Sequence, residues 1–334
     1  MYRGKNSLIY EAAYPTEKRE APLNGNRSKE VLRNISRRWE SGASVRNAFM
    51  PDDVVFDPNY PDFLIELLPF RNHPRFLLLE PALKETVLTC GWLAYNEKTL
   101  DIENKIVAPA CQHILAGRVP GTSDDTSKRA VAETLVDEAY HVLMTLHACG
   151  ITKRYRGIQE IRIPDSYLVQ AMKRLQGACV EPWETMLIEL ATAIVSEVFI
   201  SDYLKLLSDA QGIQPIHRSI VDTHRKDELV HSGLFKTLTK EMYRNLSEEQ
   251  KEFFSNILPQ PILWFANQEL EVWESMLTQV GIPDAGIIIA DCRSASVDLD
   301  ILDYSGVAEI ADELGIYDFR DRIAHLENER IPSV

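Results

Sequence analysis

The 334-residue chain has only five cysteines, Cys90, Cys111, Cys149, Cys179 and Cys292, scattered with no CxxC spacing. Their scarcity excludes a disulfide scaffold and a zinc ribbon, and fits reduced thiols in the cytoplasm. Basic residues are also in deficit: 36 Lys and Arg against 50 Asp and Glu give a formal net charge of −14. Neutralising phosphates needs clustered cations, so no nucleic-acid partner is expected. Such acidity is ordinarily a solvated face, although a carboxylate-rich site or a basic partner would draw on the same charge. No run reaches the roughly 18 apolar residues of a membrane span. Met1–Ala21 never gathers the roughly 7 to 15 apolar residues of a signal-peptide core. A membrane partner is therefore not expected. Strand-like alternation is scarce too, showing weakly only at Gly286–Ile289.

Helical periodicity, by contrast, is abundant. Residues 1–50 read as an arm with one helix, Ser28–Trp39, whose Val31, Leu32, Ile35 and Trp39 share a face. Residues 51–290 read as the main body, opening with a proline-rich loop over Met50–Pro74. Four long stretches follow: Glu80–Pro109, Asp125–Cys149, Pro182–Gln211 and Gln214–Leu246. Pro81 and Pro182 suit a first turn, Asp125 suits a cap, and Gly150 and Gly212 suit ends. Their length matches a four-helix bundle. A short helix is expected near Ser166–Leu175 and a continuous helical stretch over Glu248–Val280. Residues 291–334 read as an extension packing on the bundle, with helical patterns at Val307–Leu314 and Asp318–Leu326. The class is all-α, a four-helix bundle with extra N- and C-terminal helices.

One local pattern occurs twice: Asp137-Glu138-Ala139-Tyr140-His141 and Asp227-Glu228-Leu229-Val230-His231, both DExxH. Glu and His three apart on a helix lie about 60° from each other, one turn along the same face, so both can reach one metal ion. A single ExxH recurs by chance in so acidic a chain; two, each with the preceding Asp and each in a long helix, do not read as chance. A bundle site of this type needs one further Glu from each of the other two helices. Glu103, set among Leu100, Ile106 and Val107, is the inward candidate on the first helix, ahead of Glu97. Glu197 is the candidate on the third, because an unpaired carboxylate in the apolar run Leu187–Leu207 would be costly to bury. Glu189 is its competitor. His224 shares the face of Glu228 and His231, giving HxxxExxH, and either adds a third imidazole or is a structural histidine. Mixed oxygen and nitrogen donors suit iron or manganese. Asp137 and Asp227 point elsewhere than the adjacent Glu; each either accepts a histidine ring N–H from a neighbouring helix or is simply an exposed acid.

With these residues in place the chain resembles the diiron amine N-oxygenases. The match runs through Gly91–Glu103 (GWLAYNEKTLDIE), Ile114–Asp125, Val136–His141, Ala193–Glu197, His224–Glu228, Asp291–Ser294 (DCRS) and Asp303–Gly306 (DYSG). The resemblance implies a ferritin-like bundle, a homodimer, two Fe ions with Mn as an alternative, and O2 as co-substrate. The oxygen would pass to an amine nitrogen, giving a hydroxylamine, nitroso or nitro product in a biosynthetic pathway. It implies all seven ligands, Glu103, Glu138, His141, Glu197, His224, Glu228 and His231, with no further catalytic side chain. It also implies an electron donor protein or other reductant as partner. Aminobenzoate-oxidising members hold the substrate carboxylate with an Asn and an Arg; here those positions are Ser201 and Leu302. The expected substrate is therefore an arylamine lacking that carboxylate, an aliphatic amine or a carrier-tethered amine, against a wall of Tyr95, Thr99, Ile102 and Ser201. Two other readings remain: a diiron oxygenase acting on carbon, and non-enzymatic ferritin-like iron binding.

Overall fold

The computed structural model describes residues 23–47, 56–158, 160–294 and 303–330. In chain order the helices are α1 (Leu23–Gly42), α2 (Pro74–Leu77), α3 (Pro81–Ile102), α4 (Ala108–Leu115), α5 (Asp125–Arg156), α6 (Tyr167–Gln176) and α7 (Pro182–Ser208). They continue with α8 (Pro215–Arg244), α9 (Glu248–Ile257), α10 (Gln260–Phe265), α11 (Leu270–Gln279), α12 (Ala285–Arg293), α13 (Ser305–Leu314) and α14 (Phe319–Arg330). No strand occurs among the described residues, so the chain is all-α. Helices α3, α5, α7 and α8, of 22, 32, 27 and 30 residues, form the bundle, with α7 against α8, α5 against α8 and α3 against α5. Helix α1 lies across α5 and α8, and α13 across α7 and α8.

Several boundaries differ from the sequence expectation, each for a local reason. Helix α1 is longer than Ser28–Trp39 at both ends, and a short 3-10 turn, Ser44–Asn47, follows it. The first bundle helix does not stop at Pro109. Pro109 has no N–H for the carbonyl four residues back, and a π-turn at Glu103–Val107 widens the ladder so that Ala108 N–H donates to Glu103 O. Helix α4 then runs on to Leu115. Helix α5 is capped by Asp124 rather than Asp125, its carboxylate accepting from the backbone N–H of Thr126 at 3.1 Å and Ser127 at 3.4 Å. It passes through Gly150 and ends at Gly157, whose φ of 70° supplies the left-handed cap.

The continuous stretch expected over Glu248–Val280 is three helices, interrupted at Leu258 and Pro259 and again where Glu269 turns left-handed, with φ 56°. Gly286–Ile289, read as weakly strand-like, lies inside α12. Ala285, Ile288 and Ile289 are buried and Cys292 half-buried, at helical spacing i, i+3, i+4 and i+7, and that face outweighs the β-propensity of three isoleucines.

The glycine of the tail DYSG motif has a packing reason. A Cβ on Gly306 would lie 2.8 Å from Val198 Cγ1, beside Glu197 on α7, so only glycine lets α13 approach this closely. Lys240 of α8 and Glu313 pair across the neighbouring contact of α13 with α8. Gly306→Ala is expected to cost about 1–3 kcal/mol by overpacking, measured as a fall in Tm. An unchanged Tm would show that α13 does not need this approach.

Candidate metal centre

Each bundle helix brings at least one ionisable side chain to the middle of the bundle. The π-turn brings Glu103, α5 brings Glu138 and His141, α7 brings Glu197, and α8 brings His224, Glu228 and His231. All seven are no more than 2% exposed. His141 and Glu228 are common to two overlapping groups whose donor atoms lie within 4.8 Å of one another. One group adds Glu103 and His224, the other Glu138 and His231. Glu197 belongs to neither group but sits at the second end, where Cys111 feels the charges of Glu138, Glu197 and His231 together. The competitor Glu189 is elsewhere, 3.6 Å from His113. Glu97 is only half-buried.

Glu228 is the hub. Its Oε1 lies 3.2 Å from His141 Nδ1, 3.0 Å from His224 Nε2 and 3.3 Å from His231 Nδ1. Glu138 Oε2 is 3.0 Å from His141 Nδ1, and Glu103 Oε1 is 3.1 Å from His224 Nε2. Several of these contacts lack hydrogen-bond geometry, which leaves polar atoms buried without a partner: Glu103 Oε2, Glu138 Oε1, Glu197 Oε2, Glu228 Oε2 and His231 Nδ1. His231 Nδ1 and Glu138 Oε1 are 3.0 Å apart but misaligned. Unpaired buried carboxylate oxygens are costly, and a cation between them would satisfy them together.

The two Asp residues that precede the ExxH units reach across to the opposite helix. His141 Nε2 donates to Asp227 Oδ2 at 3.2 Å, and His231 Nε2 donates to Asp137 Oδ2 at 3.1 Å. Because 137 pairs with 231 and 141 with 227, α5 and α8 run antiparallel in register here. These contacts fix Nδ1 of His141 and His231 as the ring nitrogen that faces the cluster, while His224 turns its Nε2 to Glu103 and Glu228. The other oxygen of each Asp is also used. Asp137 Oδ1 accepts from Trp39 Nε1 at 2.9 Å, and Asp227 Oδ1 accepts from the backbone N–H of Ser44 at 3.1 Å. Trp39 and Ser44 carried no sequence signal for this role; Trp39 read as one more apolar residue of an amphipathic arm.

The protonation pattern of the metal-free cluster follows from burial and charge. Burial, reinforced by Glu138 and Glu228, holds Glu103 and Glu197 well above the usual carboxylate range. Burial also opposes ionisation of Glu138 and Glu228, but the histidine charges prevail and hold Glu138 down to about 2 and Glu228 well below its ordinary value. Burial disfavours protonated His141 and His231, yet the surrounding carboxylates raise both well above 6.5. His224 is lowered, by burial and then by its neighbour His141.

A model of the family described as "P-aminobenzoate N-oxygenase AurF" matches residues 25–315. The chain belongs to the p-aminobenzoate N-oxygenase family. A 4-aminobenzoate N-oxygenase from Streptomyces thioluteus is 32% identical over 296 residues, covering 87% of this chain and 88% of that protein. Membership in this N-oxygenase family makes the chain an oxidoreductase, and its buried His/Glu cluster fits a metal site.

The four expected wall residues are placed as follows. Tyr95 is buried, stacked on Tyr203 at 4.3 Å, and donates its hydroxyl to Tyr203 O at 3.1 Å. Thr99 is buried and donates to Tyr95 O at 3.3 Å. Ile102 is fully buried, and Ser201 is half-buried one turn beyond Glu197. Leu302 lies outside the described residues. A surface cleft lined by Tyr167, Gln170, Glu269 and Arg293 includes none of the four. No helix among the described residues is long and apolar enough to cross a membrane.

Proposed function

We propose that Glu103, Glu138, His141, Glu197, His224, Glu228 and His231 hold two iron ions, and that the enzyme uses O2 to oxidise an amine nitrogen to a hydroxylamine, nitroso or nitro group. The observation that carries this is the pair of overlapping donor groups sharing His141 and Glu228, with buried carboxylate oxygens left unpaired between them. Four carboxylates and three imidazoles without thiolate suit iron, with manganese as the alternative. Two reduced ions would supply the electrons that turn dioxygen into an oxidant. The chain's own contribution is to keep the site dry and to hold the ring nitrogens of His141 and His231 in one tautomer through Asp227 and Asp137.

The substrate we assign is a small arylamine without a carboxylate at the far end, an aliphatic amine or a carrier-tethered amine. Ser201 stands where aminobenzoate-oxidising members have an Asn, and cannot supply the same amide contacts to a carboxylate. The working enzyme is taken to be a cytoplasmic homodimer fed by an external reductant. To test this, metal-free protein is loaded anaerobically with Fe(II), exposed to O2 with aryl, aliphatic and carrier-bound amines, and the products are read by mass spectrometry. Nitrogen-oxygenated product is expected. p-Aminobenzoate should be turned over less efficiently than the best amine by about tenfold or more, the equivalent of one lost charge-assisted hydrogen bond. Oxygen found on carbon with the nitrogen intact would overturn the reading.

A further inference from the structure

The two Asp–His pairs differ in what backs them. Asp227 is satisfied by a backbone N–H, that of Ser44, which is all a carboxylate needs to be held in place. Asp137 is backed instead by the indole of Trp39, a half-buried side chain on α1. Trp39, Asp137 and His231 therefore form a continuous path from the protein surface to a cluster nitrogen, interrupted only by hydrogen bonds of 2.9 and 3.1 Å. Indole is among the side chains that exchange single electrons most readily. The cluster itself is at most 2% exposed at any of its seven residues, so a protein partner cannot touch it directly.

The helix at the outer end of this path is net basic. In a chain of net charge −14, helix α1 carries Arg27, Lys29, Arg33, Arg37 and Arg38 against Glu30 and Glu40. Arg46 adds a guanidinium 5.3 Å over the Trp39 ring. Arg33, Arg38 and Arg46 are exposed and form no ion pair with any described residue. A groove between α1 and α5 is lined by Arg33, Arg37 and Arg129 together with Glu40 and Asp125, and there Arg129 is paired with Glu40 and Glu133, which leaves Arg33 and Arg37 as its unpaired cations. Arg33 and Arg38 lie about 140° apart around α1 and so spread the excess positive charge over its exposed side, where it steers and orients an acidic partner.

Resting on the function proposed above, we propose that Trp39, Asp137 and His231 are the electron entry of the enzyme, and that an acidic one-electron carrier protein docks on the exposed, net basic side of α1. Each encounter oxidises one carrier by one electron and reduces one ferric ion to ferrous, so two carriers recharge two irons. Trp39, Asp137 and His231 end unchanged, and no bond or proton is exchanged. The guanidinium of Arg46 disfavours a lasting positive charge on the indole, so Trp39 acts as a bridge rather than a resting radical.

The probe is a reduced plant-type [2Fe–2S] ferredoxin, an acidic carrier, mixed anaerobically with the ferric protein while its own absorbance is followed. In Trp39→Phe the rate at saturating ferredoxin is expected to fall by about tenfold or more, with ferredoxin affinity unchanged. In Arg33→Glu/Arg38→Glu the second-order rate is expected to fall by about tenfold or more and to lose most of its salt dependence. Product formed by protein loaded directly with Fe(II) should fall far less in either variant than the carrier-fed rate. A Trp39→Phe protein reduced as fast as the unaltered one would overturn the path. If that variant loses iron or helix content, the charge-reversed protein decides alone, and an unchanged rate there overturns the docking face and with it the proposal. Absence of amine oxidation by the unaltered Fe(II)-loaded protein would instead refute the proposed function, independently of how electrons enter.

Discussion

Glu228→Gln is expected to leave fewer than one firmly held iron per chain and to lower amine oxidation by more than about a hundredfold, above what loss of an outer-shell partner alone costs. The expectation comes from connectivity. Glu228 is the one carboxylate present in both donor groups, and a single oxygen of it faces all three cluster histidines at 3.0–3.3 Å. The substitution keeps side-chain volume but removes the negative charge that both positions share, and it turns an NH2 toward ring nitrogens or toward the ions. Glu103→Gln is the matched control. Glu103 belongs to one group only, so its loss should release one ion far more readily than the other. Metal analysis after anaerobic loading and gel filtration, together with turnover, distinguishes the cases. If Glu228→Gln retains two irons with unaltered affinity, Glu228 is not shared between them.

What the sequence could show of this site is set by what one helix can show. The spacing of Glu138 to His141 and of His224, Glu228 and His231 is a property of single helices, and the structure places those side chains on one face as the spacing requires. Glu103 and Glu197 were legible because an ionisable group in an apolar run needs a reason to be there. Register between helices is not written in spacing. The crossing of Asp137 to His231 and Asp227 to His141 depends on how α5 and α8 slide against each other, and the sequence only raised it beside the alternative of two exposed acids. His217 illustrates the same limit. It lies seven residues before His224 on the same helix, yet its ring stacks on Trp92 at 3.6 Å and bonds to Asp62 O, and burial pushes it down to about 3. Nothing in its spacing separates it from a ligand. The π-turn at Glu103 was hidden for a different reason. Pro109 reads as a helix end, and the widened ladder of the π-turn, with Pro109 in the first turn of α4, lets the helix run past it.

Metal uptake is expected to expel protons, as many as four per chain, and to stabilise the fold more strongly as pH rises. The four candidates are one each from Glu103, Glu197, His141 and His231, all shifted toward the protonated form, the acids by burial and the histidines by the surrounding carboxylates. Metal ligation needs carboxylates ionised and imidazoles neutral, so each must surrender its proton. Four ionised carboxylates among the seven ligands then balance two divalent ions. For the metal-free chain the sign is fixed by linkage. All four groups bind protons more tightly folded than unfolded. The stability they contribute is complete below their unfolded values, near 4.5 for the acids and 6.5 for the histidines, and is lost as pH climbs through the folded ones. Glu138 and Glu228 act oppositely, but their contribution fails only well below 4.5, as pH falls, outside the neutral window. Metal affinity moves the other way, strengthening as protons leave, and a metal that binds only the folded chain stabilises it by RT ln(1 + M/Kd), with M the free metal concentration, a quantity that grows as Kd falls. The gap in Tm between Mn(II)-loaded and metal-free protein should therefore widen from about pH 6 to about pH 8. Calorimetric titration of Mn(II) in two buffers of different ionisation enthalpy counts the protons directly. A pH-independent gap with no proton release would mean that the metal-free cluster is not held together by protons standing in for the metals.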